Sequence, residues 1–319
     1  MALHEMEERF HNFAMTLPSA ESIDELSLDT EHGKRADYLW RGRSVVVEVK
    51  VLRGDPQVKI DGVFADLSKR NDFPVIFGQV EVHKVLAHLP DGEEILRSLH
   101  QKASRSVEAD FRAAKHQIAN TKTLLGLKDA LGILVLLNPD IEALDPSNVG
   151  RFVSRLMLNR QSDVWSVDIV WLITEAHFTG NAQPCILIEG NRTDRFTWAD
   201  TWVPKLNDLW AAFNNSPLVR SDATLLTETS FKRKSERPTG PLTHEQRWRA
   251  NYRARPYLAN LDDDAVRAFG RQAFVDLMPY FKTGGPRKSI AEMEPLMEQW
   301  THFLEEAAYR ALDMRDFGL

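Results

Sequence analysis

Residues 34–52 read KRADYLWRGRSVVVEVKVL, and this stretch decides the fold. Ala36 to Trp40 forms one short strand, Arg41-Gly42-Arg43 a turn, and Ser44 to Leu52 the next strand. Branched and aromatic residues fill both runs, and glycine marks the reversal. Side chains alternate along a strand, so Val47, Val49 and Val51 point one way and Glu48 and Lys50 the other. Three successive valines, Val45 to Val47, mark a strand covered on both faces. An acid and a base on such a strand are costly unless they pair or hold an ion. Antiparallel neighbours lie about 5 Å apart, so Asp37 on the first strand can meet both groups on the second.

Working outward, residues 2–16 predict a helix, with Leu3, Met6, Phe10, Phe13 and Leu17 on one stripe and Pro18 ending it. Residues 54–103 carry turn signals at Pro56, Asp61-Gly62, Asn71-Asp72, Pro74 and Pro90-Asp91-Gly92, with one or two short elements between them. Residues 104–125 form a helix with Val107, Phe111, Ala114, Ile118 and Thr121 on one side and Gly126 as its stop. Strands follow at Leu131–Leu137, Ser166–Ile173 and Pro184–Ile188. The helix over about 148–159 makes the first two a strand-helix-strand unit, which favours a parallel pair. Thr197–Phe213 is a further helix or pair of turns, its apolar side formed by Trp198, Trp202, Leu206, Leu209 and Trp210. Residues 214–242 have linker composition and divide an α/β domain, 1–213, from a helical domain, 243–319. In the latter, Thr243–Gln246 and Ser289–Glu292 are capping boxes, Asp262 caps a helix, and Gly284-Gly285-Pro286 separates the last two helices.

Composition narrows the class. The chain has 319 residues, 43% hydrophobic and 27% charged, which excludes wholesale disorder. Its one cysteine, Cys185, excludes an internal disulfide and a cysteine-rich zinc site. No apolar run approaches the roughly 18 residues of a membrane span. The start, MALHEMEERFHNF, is charged throughout and unlike a secretory signal, so a cytoplasmic protein without a membrane partner is expected. The net charge is −6. Any nucleic-acid binding must therefore come from local basic patches.

Asp37, Glu48 and Lys50 carry the chemistry. Two carboxylates can hold Mg²⁺ with water and a substrate phosphate completing its shell. A lysine beside them can orient or deprotonate an attacking water. The pattern resembles the PD-(D/E)xK nuclease superfamily, the restriction-endonuclease-like fold, over roughly residues 1–190. Ala36 stands where that family usually has proline. The resemblance implies an α/β core with a mixed central sheet flanked by helices, here followed by an all-helical C-terminal domain. It implies a divalent metal, Mg²⁺ or Mn²⁺, held by Asp37 and Glu48, and Lys50 as the catalytic lysine. A preceding helix supplies a further acid, among Glu5, Glu7 and Glu8, with Glu8 the choice; a later helix supplies Lys115 and Gln117 as supporting residues. The implied activity is that of a Mg²⁺-dependent deoxyribonuclease, with bacterial restriction or genome defence as its setting. RNA is the alternative substrate. A homodimer or partner subunit is the family's usual route to cutting both strands of a duplex.

Other features weigh less. His83, His88, His100 and His116 lack metal-ligand spacing, Glu175-x-His177 reads as a strand-end ion pair, and Gly284-Gly285 lacks the following Lys-Ser/Thr of a phosphate loop. Trp198, Trp202 and Trp210 read as core rather than a base-stacking platform. Arg105 and Arg112 could line a nucleic-acid groove with Lys115 and Lys122. The basic run Lys232, Arg233, Lys234, Arg237, Arg247, Arg249, Arg253 and Arg255 could contact phosphates. The same run also fits a solvated linker followed by a helix packed through Trp248 and Tyr252. A second functional class stays open, a catalytically inactive protein on this fold that binds DNA or assembles with a protein.

Overall fold

The computed structural model describes residues 5–26, 33–78, 80–158, 166–190, 196–217, 231–236, 240–241, 243–281 and 289–317, apart from the side chains of His100 and Ser104. Leu3, Arg237, Gly284-Gly285-Pro286 and most of 214–242 lie outside the described residues, as does the His100 side chain. The chain forms two compact units, one of Met1–Lys59 and His100–Arg237, the other of Ile60–Leu99 and Pro238–Leu319. Residues 60–99, grouped by sequence with the α/β part, thus belong with the C-terminal helices.

The first unit is α/β. Its sheet contains β1 (Glu21–Ser22), β2 (Tyr38–Trp40), β3 (Val45–Val51), β4 (Leu131–Asn138) and β5 (Ile169–Thr174). After the short β6 (His177–Phe178), β7 (Cys185–Glu189) completes it in the order β1-β2-β3-β4-β5-β7. The sheet is mixed: β3, β4 and β5 run parallel, and the remaining pairs are antiparallel. The parallel β4–β5 pair is joined by a helix, Pro146–Leu158, as the strand-helix-strand pattern predicts. β8 (Lys232–Arg233) pairs with β6, so part of the segment read as linker is strand.

The hairpin forms where predicted, with a shorter first strand. Its turn takes three successive left-handed residues, Arg41 (φ 53°), Gly42 (φ 59°) and Arg43 (φ 66°). That conformation is easy only for glycine. Both arginines are anchored: Arg43 forks onto Glu21, and Arg41 lies 4.2 Å from the Trp198 ring centroid.

Alternation then sorts the sheet faces. Val46, Leu134, Leu136, Val170 and Leu172 pack with Val107, Phe111, Ala114 and Ile118 of one long helix and with Val153 and Met157 of the crossover helix. Val45, Val47, Ile133, Val135 and Trp171 pack with Phe10 and Phe13 of α1 (Glu5–Ala14) and with Leu206 and Trp210 of the helix Ala199–Phe213. Trp210 is fully buried and Trp198 and Trp202 pack against this layer, which is the core role read from their spacing.

In chain order the helices are α1, α2 (Gln57–Leu67), α3 (Val82–Leu86), α4 (Gly92–Leu124), α5 (Pro146–Leu158), α6 (Ala199–Phe213), α7 (His244–Ala254), α8 (Asp263–Leu277) and α9 (Ile290–Arg310). α4 begins twelve residues before the predicted start. Pro90-Asp91-Gly92, read as a turn, opens it: the Asp91 carbonyl accepts from Glu94 N–H and Ile95 N–H. Its first turns were hidden because Ile95, Leu96 and Leu99 serve a different cluster from the later stripe, packing with Leu67, Leu86 and Leu89. It ends at Gly126, as predicted, with φ at +68°.

Gly132 in β4 shows how tightly the sheet is built. A Cβ there would lie 1.8 Å from the Ser166 carbonyl oxygen, which is backbone and cannot rotate away. Gly132→Ala is expected to lower stability by about 3 kcal/mol in chemical denaturation.

The second unit is helical. Thr243 and Gln246 form a capping box on α7, Ser289 and Glu292 one on α9, and Asp262 caps α8 through Ala265 N–H. Residues 60–99 dock on the end of the chain by backbone: Met314 N–H donates to the Val75 carbonyl at 2.7 Å, and Arg315 donates to the Asn71 carbonyl at 2.8 Å. Among the described residues no helix is long and apolar enough to cross a membrane.

Candidate active site

Strand register brings the carboxylates together. In the β2–β3 ladder Tyr38 faces Val47 and Trp40 faces Val45. One step further sets Asp37 opposite Glu48. Asp37 stands just before β2, not within the strand as predicted, but its backbone still pairs: its N–H donates to the Val47 carbonyl at 3.0 Å. The side chains of Glu48 and Lys50 leave β3 on the Val46 side, the face that α4 covers.

The polar groups form one chain of contacts. Asp37 Oδ2 accepts from Val49 N–H at 2.7 Å. Lys50 Nζ pairs with Glu48 Oε1 and donates to Gln117 Oε1 at 2.8 Å. Gln117 Nε2 in turn donates to the Arg35 carbonyl at 2.9 Å, which ties α4 to the segment leading into Asp37. The Glu48 side chain is 1% exposed and that of Lys50 is 21% exposed, so the acid lies beneath and the base reaches toward solvent.

The carboxylates are held together at an electrostatic cost. Burial, opposed by the Val49 N–H and the Lys50 charge, pushes Asp37 up to about 6, and Asp24 adds to the rise. Burial and then the charge of Asp37 push Glu48 up to about 8 despite Lys50. No donor group among the described residues reaches Glu48 Oε2, which is buried. The adjacent Asp37 carboxylate can bond to Glu48 only through a shared proton. A divalent cation would satisfy both features, giving the bare oxygen a partner and relieving the repulsion, so the pair fits Mg²⁺ or Mn²⁺ with water and phosphate as remaining ligands. Among the described residues no three His, Cys, Asp or Glu side chains are grouped to hold a metal ion.

The structure brings together Asp37, Glu48, Lys50 and Gln117. Lys115 does not join them: two residues from Gln117, it sits on another side of α4, and its carbonyl accepts from Ser166 Oγ. Glu8 is exposed on α1; the partly buried acid of that helix is Glu7, whose charge bears on Tyr38 beside Asp37. The α1 stripe held this information. At 100° per residue Glu7 falls near Phe10 and Ala14, and Glu8 falls opposite Met6 and Phe10. Asp24 and Asp110, whose charges bear on or answer to the site, carried no sequence signal.

The basic residues divide between the units. In the first, Arg105, Lys232, Arg233 and Lys234 are exposed, and Arg112 is exposed but paired with Glu108. In the second, Arg247 is exposed, whereas Arg249 pairs with Glu245 and Glu305 and Arg253 with Glu305 and Glu306. Arg249 and Arg253 thus hold α7 to α9. Trp248 stacks on Tyr252 and on His302 of α9, and Tyr252 meets His302 at a tilt, so the packing reading of this helix is realised.

Glu175 pairs with Arg9 of α1 at 2.5 Å, so the ion pair read from Glu175-x-His177 takes a different partner. His177 is buried against Thr174 and the Glu142 carbonyl. No family model matches the chain, and no curated protein or solved structure matches it either.

Proposed function

We propose that this chain is a metal-dependent DNA nuclease of the PD-(D/E)xK superfamily, with a restriction-endonuclease-like core in its first unit. The observation that carries the reading is the meeting of Asp37 and Glu48 from opposed strands beside a lysine fixed by Gln117. Asp37 and Glu48 would hold Mg²⁺ or Mn²⁺, which when bound offsets the charge of the scissile phosphate and lowers the pKa of a bound water. Lys50 positions the attacking water. Its ammonium has three N–H donors; Glu48 and Gln117 take two of them, and the third is left for a water or a phosphate oxygen. Gln117 keeps that geometry by spanning Lys50 and the Arg35 carbonyl. Val49 N–H holds the Asp37 carboxylate toward the strand, so the acid is fixed before substrate arrives.

The test is cleavage of linear and circular, single- and double-stranded DNA, and of RNA, with Mg²⁺ or Mn²⁺, beside calorimetric titration of the metal alone. The expected result is cutting of DNA that EDTA stops, with one metal site lost in Glu48→Gln. Absence of both cutting and metal binding would overturn the reading. It would favour the binding or assembly role, which the direct Lys50–Glu48 pair also suits.

A further inference from the structure

The chain continues past Lys50 beyond the end of its strand. Leu52 N–H still donates to the Leu137 carbonyl at 2.8 Å, and Arg53 follows at the carboxyl end of β3. β4 and β5 run parallel to β3 and end on the same side. Ligands of parallel sheets gather beyond such ends. The Arg53 side chain is 58% exposed. Its one ion-pair partner among the described residues is Glu7, reaching in from α1 at 3.7 Å, too far for a hydrogen bond. On the other layer Asp110 of α4 lies within the field of both Lys50 and Arg53. The guanidinium thus stands between an acid from each layer, oriented by charge while its five donors remain unused among the described residues.

We propose that Arg53 binds substrate: it grips a phosphate of the nucleic-acid strand next to the one presented to Asp37, Glu48 and Lys50. The inference rests on the nuclease reading above. An exposed arginine whose fork is free suits the bidentate geometry of a phosphate, and Glu7 pre-orients the fork without consuming it. Leu52 is buried, so the position of Arg53 is fixed from beneath by the core.

The experiment compares wild type, Arg53→Ala, Arg53→Lys and Glu7→Gln as full chains, in cleavage kinetics on linear duplex DNA and in melting. Salt-dependent DNA binding is read on the same set carrying Glu48→Gln, to prevent cutting. Arg53→Ala should raise KM about tenfold with kcat within about twofold, and should reduce the slope of log K against log salt by about 0.9. Arg53→Lys should keep the slope, with an intermediate KM. Glu7→Gln should leave KM within about twofold of the wild-type value, far short of the Arg53→Ala effect, because an orienting charge is lost while the phosphate-binding fork remains.

An Arg53→Ala protein with wild-type KM and slope overturns the proposal and leaves the nuclease reading standing. So does a Glu7→Gln protein as impaired as Arg53→Ala, since that marks a structural pair. Should Arg53→Ala melt early, Arg53→Lys decides: a wild-type KM there overturns the proposal. A wild type that neither cuts nor binds DNA removes the nuclease reading, and this inference falls with it.

Discussion

Lys50→Ala is expected to cleave DNA about a thousandfold more slowly than wild type, with its melting temperature at pH 6.5 within about 2 °C. The activity loss follows from the third N–H of the ammonium: Glu48 and Gln117 hold two, so the remaining one has a fixed direction that alanine cannot supply. The unchanged melting follows from the acid beneath. Removing one partner of a buried ion pair ordinarily costs several kcal/mol, because it strands a charge. Here Glu48 is pushed up to about 8 by burial and by Asp37, so at pH 6.5 it is largely neutral and no charge is stranded. Gln117→Ala should give a milder loss, about tenfold, since Lys50 then keeps Glu48 but loses its second tether. Cleavage assays paired with melts check both. A Lys50→Ala protein that melts much lower at pH 6.5 and still cuts at the wild-type rate would make the pair structural.

In metal-free buffer the folded state should weaken as pH rises from about 5 to 8, by up to about 5 kcal/mol. Both acids have raised values in the folded protein, Glu48 from 4.5 to about 8 and Asp37 from 3.8 to about 6, so folding favours their protonated forms. An acid shifted in this direction contributes stability that is complete below its free value. The contribution declines as pH climbs and is gone above the folded value. Glu48→Gln, neutral at every pH, should flatten the profile and melt above wild type at pH 8.5. Millimolar Mg²⁺ should raise the melting temperature at pH 8 and leave it nearly unchanged at pH 5, where protons occupy the carboxylates. Thermal melts across pH with and without metal would show this. A profile equally steep in Glu48→Gln would move the cause away from the pair.

Alternation and helical spacing were strong where partners lie close in sequence. The valines of 45–51 placed Glu48 and Lys50 on one face, and the hairpin set Asp37 beside them. The stripe Val107, Phe111, Ala114, Ile118 and Thr121 is buried throughout, and both capping boxes form. Local pattern failed where the partner is distant. Residues 60–99 hold short elements whose apolar residues pack on one another and whose backbone docks on Asp313–Arg315, so no single period runs through them. Glu7 and Glu8 are separated by one residue, which on a helix is 100°, so only Glu7 lies beside the buried stripe of α1. Arg249 and Arg253 looked available because their partners Glu305 and Glu306 lie some fifty residues away.

The chain passes between its two units three times, in the order first, second, first, second. That interleaving sets a timetable during synthesis. Once residue 237 has been made, every residue of the first unit exists and its sheet can close. Residues 60–99 are then still without the C-terminal segment that receives the Val75 and Asn71 backbone groups. At about 5–20 residues per second, synthesis of residues 238–319 takes on the order of 4–16 s. For that interval a complete α/β unit and a half-made helical unit share one nascent chain, the latter with its Leu67–Leu86–Leu89 cluster already encoded within residues 60–99 but its docking segment still missing.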